Sequence, residues 1–442
     1  MKLPRVSIPV LTDIFAFVPL ALFGALPALV AGKALFHKMM DLIMLDDMTL
    51  WDQYAFPLAT LAAAAVYALT LWTFYREKRS VLTEIQSSPT FLLFLFLLAW
   101  MGLSMSVNDL TEYFFGGLSF MHESFLLEVR YFLVFFALGV ALRSQRLKLW
   151  LLRGLTAVSV FLVPCAFYLW KNLRGSALVY GENWRSTLSC IFFNINYYGY
   201  FLTVFVSLSA ALFAGAKSRG WRVFYAAALI LNTVTLCYNN TLGAWIGSLC
   251  GCLFVVVAYR LRDGKWNRWT LAALGLFLLS MLGAGIANGR LLSNFTGLSR
   301  DVGLILTDPD SEAAQRTGSG RWIIWRRSME LIGRYPLFGV GFEGVAAKDL
   351  FKMAVNSRPH NEFMQYTLFY GIPGGALYTL GCASVYVRAW RRRAHLDNLT
   401  LAALTAAFGY LCGSFFGITV YNTAPYFFIM LGLAYVRGDK IP

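Results

Sequence analysis

Residues 241–287 read TLGAWIGSLCGCLFVVVAYRLRDGKWNRWTLAALGLFLLSMLGAGIA. Two apolar runs, 241–259 and 269–287, flank a segment at 260–268 that holds four basic residues. A helix rises about 1.5 Å per residue, so about 20 apolar residues cross a hydrocarbon core about 30 Å thick. The stretch therefore predicts a pair of membrane-spanning helices joined by a short basic turn. The same count along the 442-residue chain adds runs at 11–31, 54–74, 90–107, 124–142, 152–170, 188–214, 221–238, 361–386, 399–416 and 418–436, the last two weakly separated. Composition agrees: 58% of residues are hydrophobic and only 14% charged, against about a quarter charged in soluble domains. The expected fold class is all-α, a polytopic integral membrane protein with about 12 transmembrane helices. Disordered, collagen-like and disulfide-scaffold classes are excluded. The seven cysteines lie in or beside apolar runs without ligand-like spacing and read as small core residues.

The net charge of +15 is dispersed in short clusters between apolar runs, a pattern of membrane topology and not of nucleic-acid binding. With the N-terminus inside, the inner segments hold 22 Lys and Arg, while the short outer loops hold five: Lys33, Lys38, Lys171, Arg174 and Arg185. Both termini are therefore expected in the cytoplasm, and the first run reads as an uncleaved signal anchor. One connection is different. Residues 288–360 form a polar stretch of 73 residues with ten basic and seven acidic side chains, placed outside by this topology, between spans nine and ten of a single membrane domain covering 1–442. Connections this long are functional or disordered. Within it, SGRWIIWRRSMELIGRYP predicts a helix with Ser319 as cap, Arg321, Trp325, Ser328 and Ile332 on one face, and Pro336 as stop. Such a helix could equally lie at headgroup level.

Gly243, Gly247 and Gly251 have the spacing of a close helix crossing. GVGFEG (Gly339, Gly341, Gly344) has the spacing of a dinucleotide loop but no α/β unit around it, so it carries no such function. Asn239, Asn294 and Asn398 open Asn-x-Thr sequons of little weight.

Among four histidines, His37 and His395 read as surface residues. His122 and Glu123 precede a span containing Glu128 and Arg130. A cation within a span is costly unless paired or facing a cavity, so Arg130 with Glu123 or Glu128 is functional or architectural. His360 stands out because SRPHNEFMQYTLFYGIPGG gathers Arg358, His360, Asn361, Glu362 and Gln365 where the long loop meets a membrane helix. An imidazole there can take a proton from an attacking hydroxyl, or it can merely bond the turn. Arg321, Arg326, Arg327 and Arg358 are permanently charged forks suited to phosphate oxygens. Asp308, Asp310 and Glu312 could hold Mg²⁺, but DPDSE reads as well as a solvated turn, so no metal or cofactor is expected.

GRWIIWRRSMELIGRYPLFGVGFEG followed by RPHNEFMQYTLFYGIPGG and two closing spans resembles the bacterial O-antigen ligase and O-antigen polymerase superfamily. The likeness is best over 321–375 and extends more weakly to INYYGYFL (195–202), HESFLLEVRYFLVFF (122–136) and NTAPYFFIMLGL (422–433), with 188–436 as the family-like region. The resemblance implies a metal-independent, inverting glycosyltransferase of the bacterial inner membrane. It would use an undecaprenyl-pyrophosphate-linked glycan as donor and work on the periplasmic or extracellular side, alone or with other polysaccharide assembly proteins. It would place the essential histidine on His360 and the loop arginine on Arg321, with Trp325 following. A second family arginine, in a Ser-Arg-Gly-Ala stretch, is replaced here by Leu242 in NNTLGAW, and Arg185, Arg130 and Arg358 are the candidate substitutes. Arg326, Arg327, Asn361, Glu362, Asn194 and Asn196 complete the expected substrate site, although the two asparagines could equally be helix residues. This departure favours a polymerase over a ligase. A transporter or flippase of lipid-linked glycans is the rival class, but no repeat between the halves supports it.

Overall fold

The computed structural model describes residues 83–115, 124–142, 144–173, 188–190, 192, 194–351, 358–420 and 423–436. The predicted spans at 11–31 and 54–74, and His37, His122, Glu123 and Arg185, lie outside the described residues. Every regular element among the described residues is helical. The principal helices are α1 (Pro89–Val107), α2 (Phe125–Ala141), α3 (Gln145–Leu173), α4 (Ile195–Gly215), α5 (Arg219–Asn239), α6 (Leu242–Asp263), α7 (Arg268–Ala287), α8 (Leu291–Thr307), α9 (Thr317–Arg334), α10 (Glu362–Arg391), α11 (Asn398–Ser414) and α12 (Ala424–Ala434).

Among the described residues, seven helices are long and apolar enough to cross a membrane: α1, α3 to α7 and α10. The pair read from residues 241–287 appears as α6 and α7. Predicted runs 124–142, 399–416 and 418–436 also carry helices, but shorter ones of 17, 17 and 11 residues. A helix of 11 residues reaches about 16 Å, about half the hydrocarbon thickness, so α12 is not a full span by itself. A count of twelve spans is thus not established.

Burial orders the bundle. Along α4, 94% of the apolar window is inside the protein, against 28% for α7, so α4 is the central post and α7 a lipid-facing wall. α6 and α11 pack on α4 through the small residues expected. A Cβ on Gly247 would lie 2.6 Å from the Gly409 carbonyl oxygen, and one on Gly251 would lie 2.1 Å from the Ser207 hydroxyl. The glycine stripe is therefore a close crossing, as its spacing predicts. At one end of these helices, Arg262 donates to Asn398 Oδ1 (2.7 Å) and the Leu396 carbonyl (3.2 Å), while Asn398 donates to the Gly215 carbonyl (3.0 Å). At the other end, Asn239 is fully buried and donates to the Leu188 and Ile195 carbonyls, so it ties helix ends together and is no surface acceptor for a glycan. All seven cysteines are free thiols, five of them buried.

α10 departs from the continuous span predicted at 361–386. It breaks at Gly371 (φ 72°, ψ 177°), two residues before Pro373. Proline cannot donate to the preceding turn, and only glycine adopts this backbone without strain. The freed carbonyls and the Ile372 N–H find partners outside the helix. Val340 and Gly341 N–H donate to the Leu368 and Phe369 carbonyls at 2.9 and 2.8 Å, Trp100 Nε1 to Tyr370 at 2.8 Å, and Ile372 N–H to Pro336 at 2.8 Å. The GVGFEG segment serves this junction: a Cβ on Gly339 (φ 65°) would lie 2.5 Å from backbone atoms of the break. Gly371→Ala is expected to destabilise the protein by several kcal/mol, because its Cβ would lie 2.1 Å from the Leu337 carbonyl oxygen at an unfavourable φ. Thermal unfolding in detergent measures this. A midpoint unchanged from wild type would contradict the packing described.

Candidate functional site

The site begins with an unusual backbone. Gly318, Ser319 and Gly320 all have φ near +60 to +81° and form a left-handed turn immediately before the regular part of α9. Ser319, expected as a helix cap, instead sits inside this turn at φ 60°, and Arg316, which occupies the cap position, makes no side-chain capping hydrogen bond. The turn is held from outside by Asp301, whose carboxylate accepts the Gly318 N–H at 2.8 Å. Arg321 follows it. Its Nη1 donates to the Gly318 carbonyl at 3.2 Å, while its Nε is buried without a hydrogen-bond partner. One turn further, Trp325 Nε1 is likewise buried and unpartnered, and its ring stands 6.3 and 6.4 Å from Phe415 and Phe416. Two buried donors left open at one helix start are costly unless something else accepts from them.

Across from α9, the start of α10 supplies the imidazole. His360 occupies a left-handed position (φ 50°), a region where histidine is tolerated better than most residues. Asn361 then caps α10, its Oδ1 accepting the Met364 N–H at 3.0 Å. His360 is partly exposed. Its pKa is pushed down to about 4, first by burial of the ring and then by the charges of Arg321 and Arg358. The imidazole is therefore neutral at physiological pH, with both arginines close enough to act on it electrostatically.

Arg358 is 3% exposed and paired with the equally buried Glu343 at 3.4 Å; it also donates to the Thr419 carbonyl at 3.3 Å and lies 5.4 Å over the Phe342 ring. It reaches His360 by charge while being anchored in the protein. Glu362 is fully buried; its carboxylate accepts from the Tyr378 and Tyr410 hydroxyls, the latter at 3.0 Å. Arg326 and Arg327 point elsewhere. Arg326 pairs with Asp310 at 2.5 Å and Arg327 with Glu330 at 2.8 Å, and Glu312 pairs with Arg316. The DPDSE acids thus form a charged turn beside α9. Asn194 caps α4 by accepting the Asn196 N–H at 2.8 Å. Arg130 is partly exposed on α2, where neighbouring Glu128 accepts from Tyr370 at 2.6 Å.

The structure also contributes Tyr200, which sequence reasoning did not select. Tyr200 on α4 donates to the Phe416 carbonyl at 2.6 Å and lies within electrostatic reach of both Arg321 and Glu362. Gly243, next to Leu242, abuts Phe416 and the Tyr200 hydroxyl, so the place where the family arginine is expected borders the same neighbourhood. Gln365 is 1% exposed, and neither of its amide atoms has a hydrogen-bond partner. Gln365 belongs to the polar cluster read from the sequence, whereas Tyr200 lies in INYYGYFL, where helical spacing alone did not separate it from its neighbours.

The fold and this site define a multi-pass membrane protein whose polar chemistry gathers where a long connection meets a broken membrane helix. Residues 227–379 match the family model described as O-antigen ligase, which supports the O-antigen ligase and polymerase superfamily read from the motifs. The matched segment runs from α5 into α10 and includes Leu242, Arg321 and His360. No curated protein matches the chain.

Proposed function

We propose that this protein is a membrane glycosyltransferase that moves a glycan from an undecaprenyl-pyrophosphate donor to an acceptor sugar hydroxyl, on the outer side of the cytoplasmic membrane. The observation that carries the reading is the buried, unpartnered Arg321 Nε beside the neutral His360. Arg321, helped by the charge of Arg358, meets the diphosphate, and Trp325 offers its open N–H alongside. His360 takes the proton of the acceptor hydroxyl as that oxygen bonds to the anomeric carbon. The bond from this carbon to the diphosphate oxygen breaks, its electron pair leaves with undecaprenyl pyrophosphate, and the anomeric configuration inverts. No metal is required, because arginine neutralises the leaving group. Glu362, held by two tyrosines, and the cap Asn361 shape the wall beside the imidazole.

Leu242 in place of the second arginine favours a polymerase, which adds the glycan to another lipid-linked repeat. The alternative is a ligase, which transfers the glycan to a distinct terminal acceptor. Purified protein given defined lipid-linked oligosaccharides separates them: a ladder of repeats supports the polymerase, a single transfer to a distinct acceptor supports the ligase, and no transfer with either contradicts the proposal.

A pH dependence follows. His360 must be neutral to accept a proton, so activity falls as pH drops through its pKa. In the free protein that fall lies near pH 4, and it is read from the acid limb of kcat/KM. A bound diphosphate offsets the arginine charges and raises the pKa, so the acid limb of kcat is expected at higher pH. Coincident limbs at the ordinary histidine value of about 6.5 would contradict this electrostatic picture.

A further inference from the structure

We propose that α8 lies on the bilayer surface and acts as a lipid-seated brace that positions Arg321. α7 ends at Ala287, and α8 begins at Leu291 after a turn through Gly289 (φ 67°). A linker of this length reaches about 10 Å, so α8 starts at the level where a membrane helix ends. Two contacts hold it across that end of the bundle. Asn288 donates to the Cys237 carbonyl at 2.9 Å, and Asn294 to Asn240 Oδ1 at 2.7 Å, both at the end of α5.

The remaining faces of α8 sort by chemistry. At 3.6 residues per turn, Leu292, Leu298, Val302 and Leu306 fall in one arc about 120° wide. Leu292 and Leu306 are 75% and 77% exposed, as much as Leu279 (69%) and Ile286 (66%) on the lipid-facing α7. Asn294 and Asp301 adjoin this arc on its protein side, and the exposed Arg300 lies well away from it. An apolar arc of this kind, continuous with a membrane helix and bounded by polar residues, fits the boundary between headgroups and acyl chains. Its polar flank carries the consequence: Asp301 bonds the Gly318 N–H and so fixes the left-handed turn from which Arg321 projects. The depth of α8 in the lipid is thereby linked to the geometry of the anion-binding arginine.

The test uses full-length protein in phosphatidylethanolamine–phosphatidylglycerol vesicles, with nitroxide labels at Leu298→Cys, Leu306→Cys and, separately, Arg300→Cys. Labels on the apolar arc are expected to be accessible to oxygen and protected from a water-soluble nickel relaxant, with the reverse at Arg300→Cys. Equal access of the nickel reagent to both faces overturns the lipid seat, as does protection at the arc without oxygen access, which would indicate a protein partner. These readouts do not depend on catalysis. The link to Arg321 rests on the function proposed above and has its own arm. Asp301→Ala is expected to raise KM for the lipid-linked glycan about tenfold, the effect of losing one charge-assisted hydrogen bond, with kcat changing less. An unchanged KM in a variant with wild-type thermal stability overturns the brace, whereas absence of transfer in the unsubstituted protein overturns the function and leaves the labelling result standing.

Discussion

His360→Ala is expected to lower glycan transfer by about 10²–10⁴-fold, the contribution of a positioned general base. The expectation rests on a specific arrangement. The imidazole sits at the last residue before the cap of α10, held neutral by burial and by two arginines. Alanine removes the proton acceptor and leaves Arg321 in place, so affinity for the lipid-linked donor should change much less than turnover. Because His360 adopts φ 50°, backbone strain must be separated from lost chemistry. Asn, which tolerates this region well, serves as that control: His360→Asn should keep wild-type thermal stability and be as inactive as alanine. Recovery of activity in His360→Asn would mean that the residue only shapes the turn.

Arg321→Ala is expected to cost about 10²–10³-fold in kcat/KM, as for removal of one preorganised charge stabiliser at a developing anion. Here binding and turnover should both suffer, since a diphosphate is charged in the ground state and gains charge as it leaves. Arg321→Lys should recover part of the loss, because an ammonium supplies charge without the planar fork. The neighbouring arginines provide the contrast. Arg326→Ala and Arg327→Ala remove groups already paired with Asp310 and Glu330, and their activity should stay within a few-fold of wild type. Turnover by the protein carrying Arg321→Ala equal to wild type, at equal amounts in the membrane, would remove Arg321 from the site.

Much of the helical architecture was legible because its cause is local. Long apolar runs become helices in a membrane, and the glycines at 243, 247 and 251 repeat with the helical period that brings them to one face. The break in α10 was not legible as structure, although Gly371 and Pro373 were in plain view. What stabilises it is non-local: N–H groups of Val340 and Gly341 and the Trp100 indole reach its freed carbonyls. Periodicity carries no information about such partners. The same fact explains GVGFEG, whose spacing resembles a dinucleotide loop and whose Gly339 packs against the break.

At the site, His360 stood out because chemistry-bearing residues are dense where a long loop meets a membrane helix, whereas Arg321 was set apart from the other loop arginines only by the family resemblance of GRWIIW. Grouping all four loop arginines as a clamp overlooked the helical period. Residues 326 and 327 lie well around the helix from 321, and the structure pairs them with carboxylates on the outside. Arg358 was selected for its charge, yet nothing local could show that Glu343, 15 residues earlier, would bury with it. Tyr200 was hidden for a similar reason. One of three neighbouring tyrosines in an apolar helix looks like packing until Phe416 and Arg321 are brought to it by the fold.

The most direct test of the transfer chemistry is a single-turnover reaction in proteoliposomes containing one labelled undecaprenyl-pyrophosphate-linked glycan and excess acceptor, with glycan product and released undecaprenyl pyrophosphate followed together by mass spectrometry. The account predicts equal yields of both from the wild-type protein, neither above background from the protein carrying Arg321→Ala, and intact bound donor without either product from the one carrying His360→Ala. Full product yield at the wild-type rate from either variant would contradict it.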